Sequence, residues 1–285
     1  MYGREPRDGA AARLRGLSRR RRVLGIAVAL IVTAGVAGGV VAATQHGGDG
    51  SGGSPGPASP DHPSGPPQNR PGPVLLVPGY GGSTGALDQL AGRIRATGRQ
   101  ATVLRLPGSG TGSLVADARL LNAAVSSALA HGAPSVDVVG YSAGGVVALI
   151  WARRDDGFAK ARRIVTLGSP FHGTQLAAAA EAIDPSACPA ACQQLIPGST
   201  LLTSLNVSSP AGLPRWESLW STDDKVVTPP DSASLPGAVD IPVQSVCPSV
   251  SLTHSQLPTS PVVTSMVLQA LGSGPLRHPT AAVCS

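Results

Sequence analysis

The run SVDVVGYSAGGVVALI, from Ser135 to Ile150, predicts a buried strand, a sharp turn at Ser142 and a helix that opens on small residues. Gly140 and Gly144 complete the G-x-S-x-G pattern, in which a serine sits on a tight strand-to-helix turn. Glycine adopts the torsions of such a turn and lets strand and helix approach closely. The N-terminus of the helix also leaves amide groups free for a developing oxyanion. We therefore interpret Ser142 as a candidate nucleophile.

The pattern alone is weak, because the chain has 36 glycines, and it occurs around three serines. Ser54 lies in a Gly/Pro/Ser tract that cannot form a core. Ser83 lies in a glycine loop several residues past the nearest predicted strand. The serine at 142 has a β-branched strand directly before its first glycine and a helix directly after it, which favours this position.

Charge argues against a nucleic-acid-binding domain. The chain has 285 residues and a formal net charge of +6. Eight arginines and only two carboxylates lie in residues 1–43, so the remainder of the chain is neutral. The basic character therefore belongs to the N-terminus, and we expect no nucleic-acid partner.

The N-terminus has the organisation of an export signal. A basic segment, residues 1–22, precedes an uncharged apolar run, residues 23–43. The run is typical of a cleaved signal peptide or of a retained signal anchor, and the residues leave both open. Residues 44–73, rich in Gly, Pro and Ser, predict a linker, and residues 74–285 a catalytic domain. We expect a secreted protein, or one tethered to the outer face of the cell membrane.

All four cysteines lie in the part that we expect to be exported. An even number in an oxidising compartment favours two disulfides. One pair would close a small loop and the other would fasten the C-terminal tail. A zinc site is the alternative, but no histidine is close to these residues in sequence, so we expect no metal and no cofactor. We expect Cys188 to pair with Cys192 and Cys247 to pair with Cys284.

From residue 73 onward, strand and helix patterns alternate, which is typical of a parallel α/β sheet. Residues 174–213 interrupt the alternation and predict an insertion of short helices. The chain shows no internal repeat. Besides the Ser142 strand and helix, the pattern predicts strands over 74–77, 102–106, 163–167, 216–220 and 239–246, and helices from Leu87, over 114–130 and over 261–271.

A serine nucleophile needs a base, and the base needs an orienting carboxylate. We expect His254 to be the base, because it lies in a loop after the last predicted strand and before the last helix. His172 is more typical of a pocket wall, and His278 lies in a proline-rich tail. For the acid, Asp223 and Asp224 both follow the strand that ends at residue 220, and position alone does not choose between them.

Five blocks, in this order, resemble the small secreted bacterial lipases of the α/β-hydrolase superfamily. The resemblance covers residues 73 to about 272. It implies an α/β-hydrolase fold: a mostly parallel central sheet flanked by helices, in a minimal form with a short helical insertion after the strand that follows the nucleophile helix. The blocks are VPGYGG (77–82), GYSAGG (140–145), LGSPFHGT (167–174), TDDKVVTP (222–229) and LTH (252–254).

The resemblance selects the acid. In these lipases the acid is followed by one variable residue, two apolar residues, a spacer and often a proline. DKVVTP, beginning at Asp224, fits that frame, whereas Asp223 stands one residue early. The implied catalytic triad is Ser142, Asp224 and His254.

The resemblance also implies an oxyanion hole made of two backbone N–H groups, those of Tyr80 and Ala143. Many relatives have His-Gly where this chain has Pro78-Gly79. Because the donor is the amide that follows, this difference leaves the hole intact.

We therefore expect a serine ester hydrolase that acts on lipid or other carboxylic esters. We expect it to be a monomer whose partner is a lipid or small ester substrate. An acyltransferase or a polyester hydrolase with the same triad is an alternative. So is a catalytically silent surface-binding domain, although the intact triad argues against it. Four leucines after the fourth predicted strand, Leu176, Leu201, Leu202 and Leu205, are interpreted as core or as an acyl-binding wall.

Overall fold

The computed structural model describes residues 65–206 and 215–284. The export signal predicted for residues 23–43 lies outside these residues and stays a prediction. None of the described helices is long and apolar enough to cross a bilayer.

A six-stranded parallel sheet forms the centre of the described part, in the order β2-β1-β3-β4-β5-β6. Its strands are β1 (Val74–Val77), β2 (Ala101–Val103), β3 (Val136–Tyr141), β4 (Ala161–Leu167), β5 (Trp216–Trp220) and β6 (Val239–Pro242). The helices are α1 (Gly85–Arg95), α2 (Leu114–Ala130), α3 (Ala143–Arg154), α4 (Gly157–Lys160), α5 (Gln175–Ile183), α6 (Ala190–Gln194), α7 (Thr200–Leu205), α8 (Val243–Val246) and α9 (Pro261–Ala270). Short 3₁₀ helices lie at Pro107–Gly110, Pro185–Ala187, Pro230–Ala233, His254–Gln256 and Ala281–Cys284.

The strand order reverses at β1, because β2 pairs with one side of β1 and β3 with the other. Ligands of open parallel sheets bind outside the carboxyl ends of the strands at such a reversal. The register aligns those ends, since Val77 pairs with Gly140, and Leu167 pairs with both Tyr141 and Leu219. The loops that follow β1, β3, β4 and β5 therefore meet at one edge of the sheet.

Side chains alternate between the two faces of the sheet and build two cores. Leu75 and Val77 of β1 pack in the core that contains residues of α2 and α3. Val74 and Leu76 pack in the other core, with residues of α1 and α9. Both cores bury whole side chains, and burial of each large apolar side chain contributes about 1.5–3 kcal/mol to the free energy of folding. Helix α3 is buried along most of its length, which explains why its sequence is apolar on every side.

One buried charge network fastens the opposite edge of the sheet. The carboxylate of Asp137 on β3 pairs with Arg162 on β4 and with Arg99, whose Nη2 lies 2.7 Å from Asp137 Oδ2. Arg162 also donates to the carbonyl groups of Leu271 (2.6 Å) and Gln68 (3.0 Å). Removing one member of such a network leaves a charge buried without its partner, which costs about 3–5 kcal/mol.

The last strand is shorter than its sequence predicts. Over residues 239–246 the structure has strand β6, which ends at Pro242, followed by helix α8. Proline has no N–H to donate to a neighbouring strand, and it fixes φ near the value found at helix starts. The strand prediction over 243–246 is therefore wrong. The strand predicted over 102–106 is also shorter, since β2 ends at Val103.

The predicted insertion consists of α5, α6 and α7 within residues 175–205, and residues 207–214 lie outside the described part. The structure contains two disulfides. Cys188–Cys192 closes a small loop in the insertion, and Cys247–Cys284 ties the end of the chain to the residue after α8. No free cysteine is found among the described residues.

Candidate active site

Ser142 occupies a strained turn between β3 and α3. Its φ is 53° and its ψ is −126°, a region that non-glycine residues rarely adopt. Its N–H donates to the carbonyl of Leu167 at the end of β4 (2.9 Å), which fastens the turn to the neighbouring strand. A Cβ at Gly140 would lie 2.6 Å from the Cα of Gly145, and one at Gly144 would lie 2.2 Å from the carbonyl oxygen of Val77. Both positions therefore require glycine, as the sequence pattern indicates.

The structure brings Asp224 and His254 together. Asp224 follows β5, His254 begins the 3₁₀ helix after α8, and Oδ2 of Asp224 lies 2.6 Å from Nδ1 of His254. The other carboxylate oxygen, Oδ1, accepts hydrogen bonds from the N–H groups of Val226 (2.8 Å) and Val227 (2.9 Å). Asp224 is 2% exposed and His254 is 7% exposed, so water competes little with these bonds. The carboxylate is fixed on one side and holds the imidazole on the other.

Tyr141, directly before the candidate nucleophile, supports the histidine from another side. Its ring lies against the imidazole, with ring centroids 5.1 Å apart, and its hydroxyl donates to the carbonyl oxygen of His254 (3.2 Å). Burial and, to a lesser extent, the Asp224 carboxylate raise the pKa of Tyr141 to about 12. The phenol therefore keeps its proton, and this hydrogen bond, at neutral pH.

Gly168, after β4, leaves room for the histidine–aspartate pair. A Cβ there would lie 3.2 Å from Nδ1 of His254 and 3.3 Å from Oδ2 of Asp224. The residue also has a φ of +54°, which favours glycine. The Ser142 N–H donates to Leu167, the last residue of β4, and Gly168 is the next residue. The imidazole at Gly168 therefore lies beside the serine turn.

The hydrogen bonds of the described residues do not include one between Ser142 Oγ and the His254 ring. Such bonds are often long without a bound substrate and tighten when one binds. The geometry thus has a formed Asp224–His254 pair and a strained serine at the end of a neighbouring strand.

The loop after β1 lies against the serine. A Cβ at Gly79 would lie 2.9 Å from Ser142 Cβ and 3.4 Å from its Oγ, so the backbone of this loop contacts the serine side chain. Tyr80 is the next residue, and Ala143 is the first residue of α3. Within the part of the chain that the structure describes, neither of these two N–H groups donates to another residue. Two unpaired amides therefore flank Ser142.

The alternative acids and bases lie elsewhere. His172 is exposed and contacts the carbonyl of Ser232 through Nδ1 (3.2 Å), and His278 is exposed in the tail. Asp223 faces the loop before His254 and does not contact the imidazole. In the described ranges, 65–206 and 215–284, no three His, Cys, Asp or Glu side chains cluster in a way that could hold a metal ion.

Three of the four leucines considered for an acyl site belong to the core. Leu201, Leu202 and Leu205 on α7 are buried with the residues of α2 and α3. Leu176, in the first turn of α5, is 39% exposed. The core interpretation therefore applies to α7, and of the four leucines only Leu176 is exposed.

Sequence reasoning missed two supporting residues. Tyr141 and Gly168 lie inside blocks that carry the family resemblance, but their contacts with His254 depend on how distant loops meet. The positive φ of Gly168 is the one feature that its residue type could have indicated.

The fold is similar to solved structures of lipases. Lipase B of Aspergillus fumigatus matches with a TM-score of 0.62 and 19% identity, over 76% of this chain and 57% of the lipase, so the chain spans little more than half of that protein. The mature form of the Bacillus licheniformis lipase BlEst2 matches with a TM-score of 0.56 and 17% identity, over 74% of this chain and 95% of the lipase. No protein-family model and no curated protein matches the sequence.

Parallel strand order, the serine turn at the strand-order reversal and these structural matches define an α/β-hydrolase fold. The two lipases above share this fold, which is the fold that the sequence blocks predict.

Proposed function

We propose that the chain is a serine ester hydrolase that cleaves lipid or other carboxylic esters through Ser142, Asp224 and His254. The observation that carries the proposal is the 2.6 Å bond between Asp224 and Nδ1 of His254, at the edge of the sheet where Ser142 stands in a strained turn. This bond keeps the Nδ1 proton facing the carboxylate, so that Nε2 is free to act as a base.

In the proposed mechanism, His254 Nε2 takes the proton of Ser142 as Oγ attacks the acyl carbonyl. The oxyanion receives hydrogen bonds from the N–H groups of Tyr80 and Ala143, each worth roughly 3 kcal/mol of barrier. The histidine then gives its proton to the departing alcohol and leaves an acyl-serine. Water, activated by the same histidine, releases the acid and restores the enzyme.

The test compares Ser142→Ala with Ser83→Ala on a chromogenic fatty-acyl ester. Ser83 is a matched control, because it is the other serine of a G-x-S-x-G pattern in the described part and lies exposed before α1. We expect Ser142→Ala to lose at least about 10⁴-fold in kcat and Ser83→Ala to keep wild-type activity. A Ser142→Ala variant within about tenfold of wild type would remove Ser142 from its role.

An apolar rim supports lipid-like acyl chains as substrates. Tyr80, Leu176 and Val226 are 46%, 39% and 40% exposed. The Oγ1 of Thr174, the residue before α5, donates to the carbonyl of Val226 (2.6 Å), which places the start of α5 beside the Asp224 turn. We expect Leu176→Ser to lower kcat/KM on long-chain esters and to leave short-chain esters unchanged. Equal effects on both chain lengths would contradict this assignment.

We also propose that the enzyme works outside the cytoplasm, with residues 23–43 as the export signal or anchor. Two disulfides support an oxidising compartment. Mass spectrometry of the protein from the membrane and culture-medium fractions distinguishes a cleaved signal from a retained anchor. Recovery of the whole chain from the cytoplasm, with four free thiols, would contradict export.

A further inference from the structure

The loop that carries His254 is fastened by the carboxylate next to the proposed catalytic acid. Oδ2 of Asp223 accepts hydrogen bonds from Ser251 Oγ (2.9 Å), from the N–H of Leu252 (3.4 Å) and from Gln244 Nε2 (3.4 Å). All three donors lie between β6 and His254. Asp223 thus connects the end of β5 to the segment that presents the histidine.

Ser221, in the same turn after β5, holds the same segment through further hydrogen bonds. Ser221 Oγ donates to the carbonyl of Leu252 (2.6 Å) and accepts from Gln244 Nε2 (2.9 Å) and from the N–H of Asp223 (3.1 Å). Both backbone groups of Leu252 are therefore held by the turn after β5, two residues before His254. The Leu252 side chain packs in the core beneath, so this point of the loop has little freedom to move.

We propose that Asp223 is a positioning residue for the ester hydrolysis proposed above, on which this inference rests. Asp224 orients the imidazole ring, and Asp223 fixes the backbone on which that ring is carried. Because the two carboxylates are adjacent in one turn, the imidazole and the loop that carries it are held in a fixed orientation toward Ser142. Displacement of a catalytic group by about 1 Å can lower the rate about 100-fold, so release of the loop acts on kcat more than on substrate affinity.

The chain offers a conservative variant that separates the hydrogen bonds from the charge. All three described contacts of the Asp223 side chain use Oδ2 alone. An asparagine that places its carbonyl oxygen there keeps the three bonds without the charge, whereas alanine removes them. Asp155, at the C-terminal end of α3, is a matched control, since it is also half-buried and its carboxylate has no hydrogen bond within the described ranges.

The experiment measures kcat and KM for Asp223→Ala, Asp223→Asn and Asp155→Ala on one chromogenic ester. We expect Asp223→Ala to lower kcat at least about tenfold with KM within about twofold, and Asp223→Asn to stay within about threefold of wild type. Asp155→Ala should match wild type. Ser251→Ala, at an exposed position, removes the shortest bond alone and should lower kcat about fivefold with KM unchanged. If Asp223→Ala does not fold, a wild-type kcat in Ser251→Ala would contradict the positioning role.

Amide hydrogen exchange gives a readout that does not depend on turnover. The peptide that contains Leu252 should exchange faster in Asp223→Ala than in wild type and Asp223→Asn. If the wild type is active and Asp223→Ala has an unchanged kcat, or a change confined to KM, the positioning role alone is overturned. A wild type that hydrolyses no ester would overturn the proposed function and this inference with it.

Discussion

Replacing Asp224 by asparagine tests the site at its best-defined contact. The carboxylate has two distinct sides: Oδ1 accepts from the N–H groups of Val226 and Val227, and Oδ2 contacts His254 Nδ1. An asparagine has the same shape but only one accepting oxygen. Its oxygen can accept from the two backbone N–H groups or from the Nδ1–H of His254, but not from both sides.

The backbone donors decide the orientation. If the amide NH₂ faced Val226 and Val227, both N–H groups would lose their acceptor, and the buried one, that of Val227, would cost about 1–3 kcal/mol. The amide oxygen therefore stays with the backbone, and the NH₂ group faces His254. Nδ1 must then accept a hydrogen bond, which moves the ring proton to Nε2, the nitrogen that should receive the proton of Ser142. We expect kcat to fall about 10⁴-fold, or about 5 kcal/mol of barrier.

The assay is steady-state hydrolysis of a chromogenic ester, together with thermal unfolding. Asp224→Asn should keep a melting temperature close to that of wild type, because its backbone bonds persist. Asp223→Asn is the control one residue away and should stay within about threefold of wild type, as argued above. If Asp224→Asn kept activity within about tenfold, or if Asp223→Asn had the larger effect, the assignment of the acid would be wrong.

Two further predictions concern stability. Burial, only partly opposed by Arg163, raises the pKa of Glu217 to about 8. The folded state therefore holds this proton more tightly than the unfolded chain. The free energy of unfolding should fall by up to about 1.4 kcal/mol per pH unit as the pH rises toward 8. Glu217→Gln should remove this slope in urea unfolding at a series of pH values, and identical slopes would contradict the raised pKa. Gly145→Ala should lower stability by about 1–3 kcal/mol, because the new Cβ would lie 1.9 Å from Oγ of Ser169. Gly92→Ala on α1 is the control and should not lower stability, because no atom lies within 4 Å of its new Cβ. Equal melting temperatures for the two alanine variants would refute the close packing of α3.

Local sequence was sufficient wherever short-range sterics decide the structure. The β-branched strand before Gly140 and the small residues after Ser142 predict the serine turn, and the structure has both. Alternation of strands and helices predicts the parallel sheet, because each element carries its own pattern of apolar residues. The error after Pro242 arose because apolar residues continue past the proline, and periodicity does not distinguish a short buried helix from a strand.

Long-range contacts were the limit of the sequence. Position along the chain left Asp223 and Asp224 as equal candidates, and only the family resemblance chose between them. In the structure the two carboxylates face different partners, one the loop and the other the imidazole. Which of two adjacent side chains points to a histidine 30 residues away depends on the turn after β5. The room that Gly168 leaves for that histidine depends on three loops meeting at one edge of the sheet.

The most direct test of the central claim is to identify the residue that reacts with an organophosphonate. We expect one phosphonyl group per chain, located by mass spectrometry on the peptide that contains Ser142, with labelling slowed strongly in His254→Ala. Modification of another serine such as Ser83, or active protein that takes up no label, would contradict the claim that Ser142, Asp224 and His254 act as one catalytic unit.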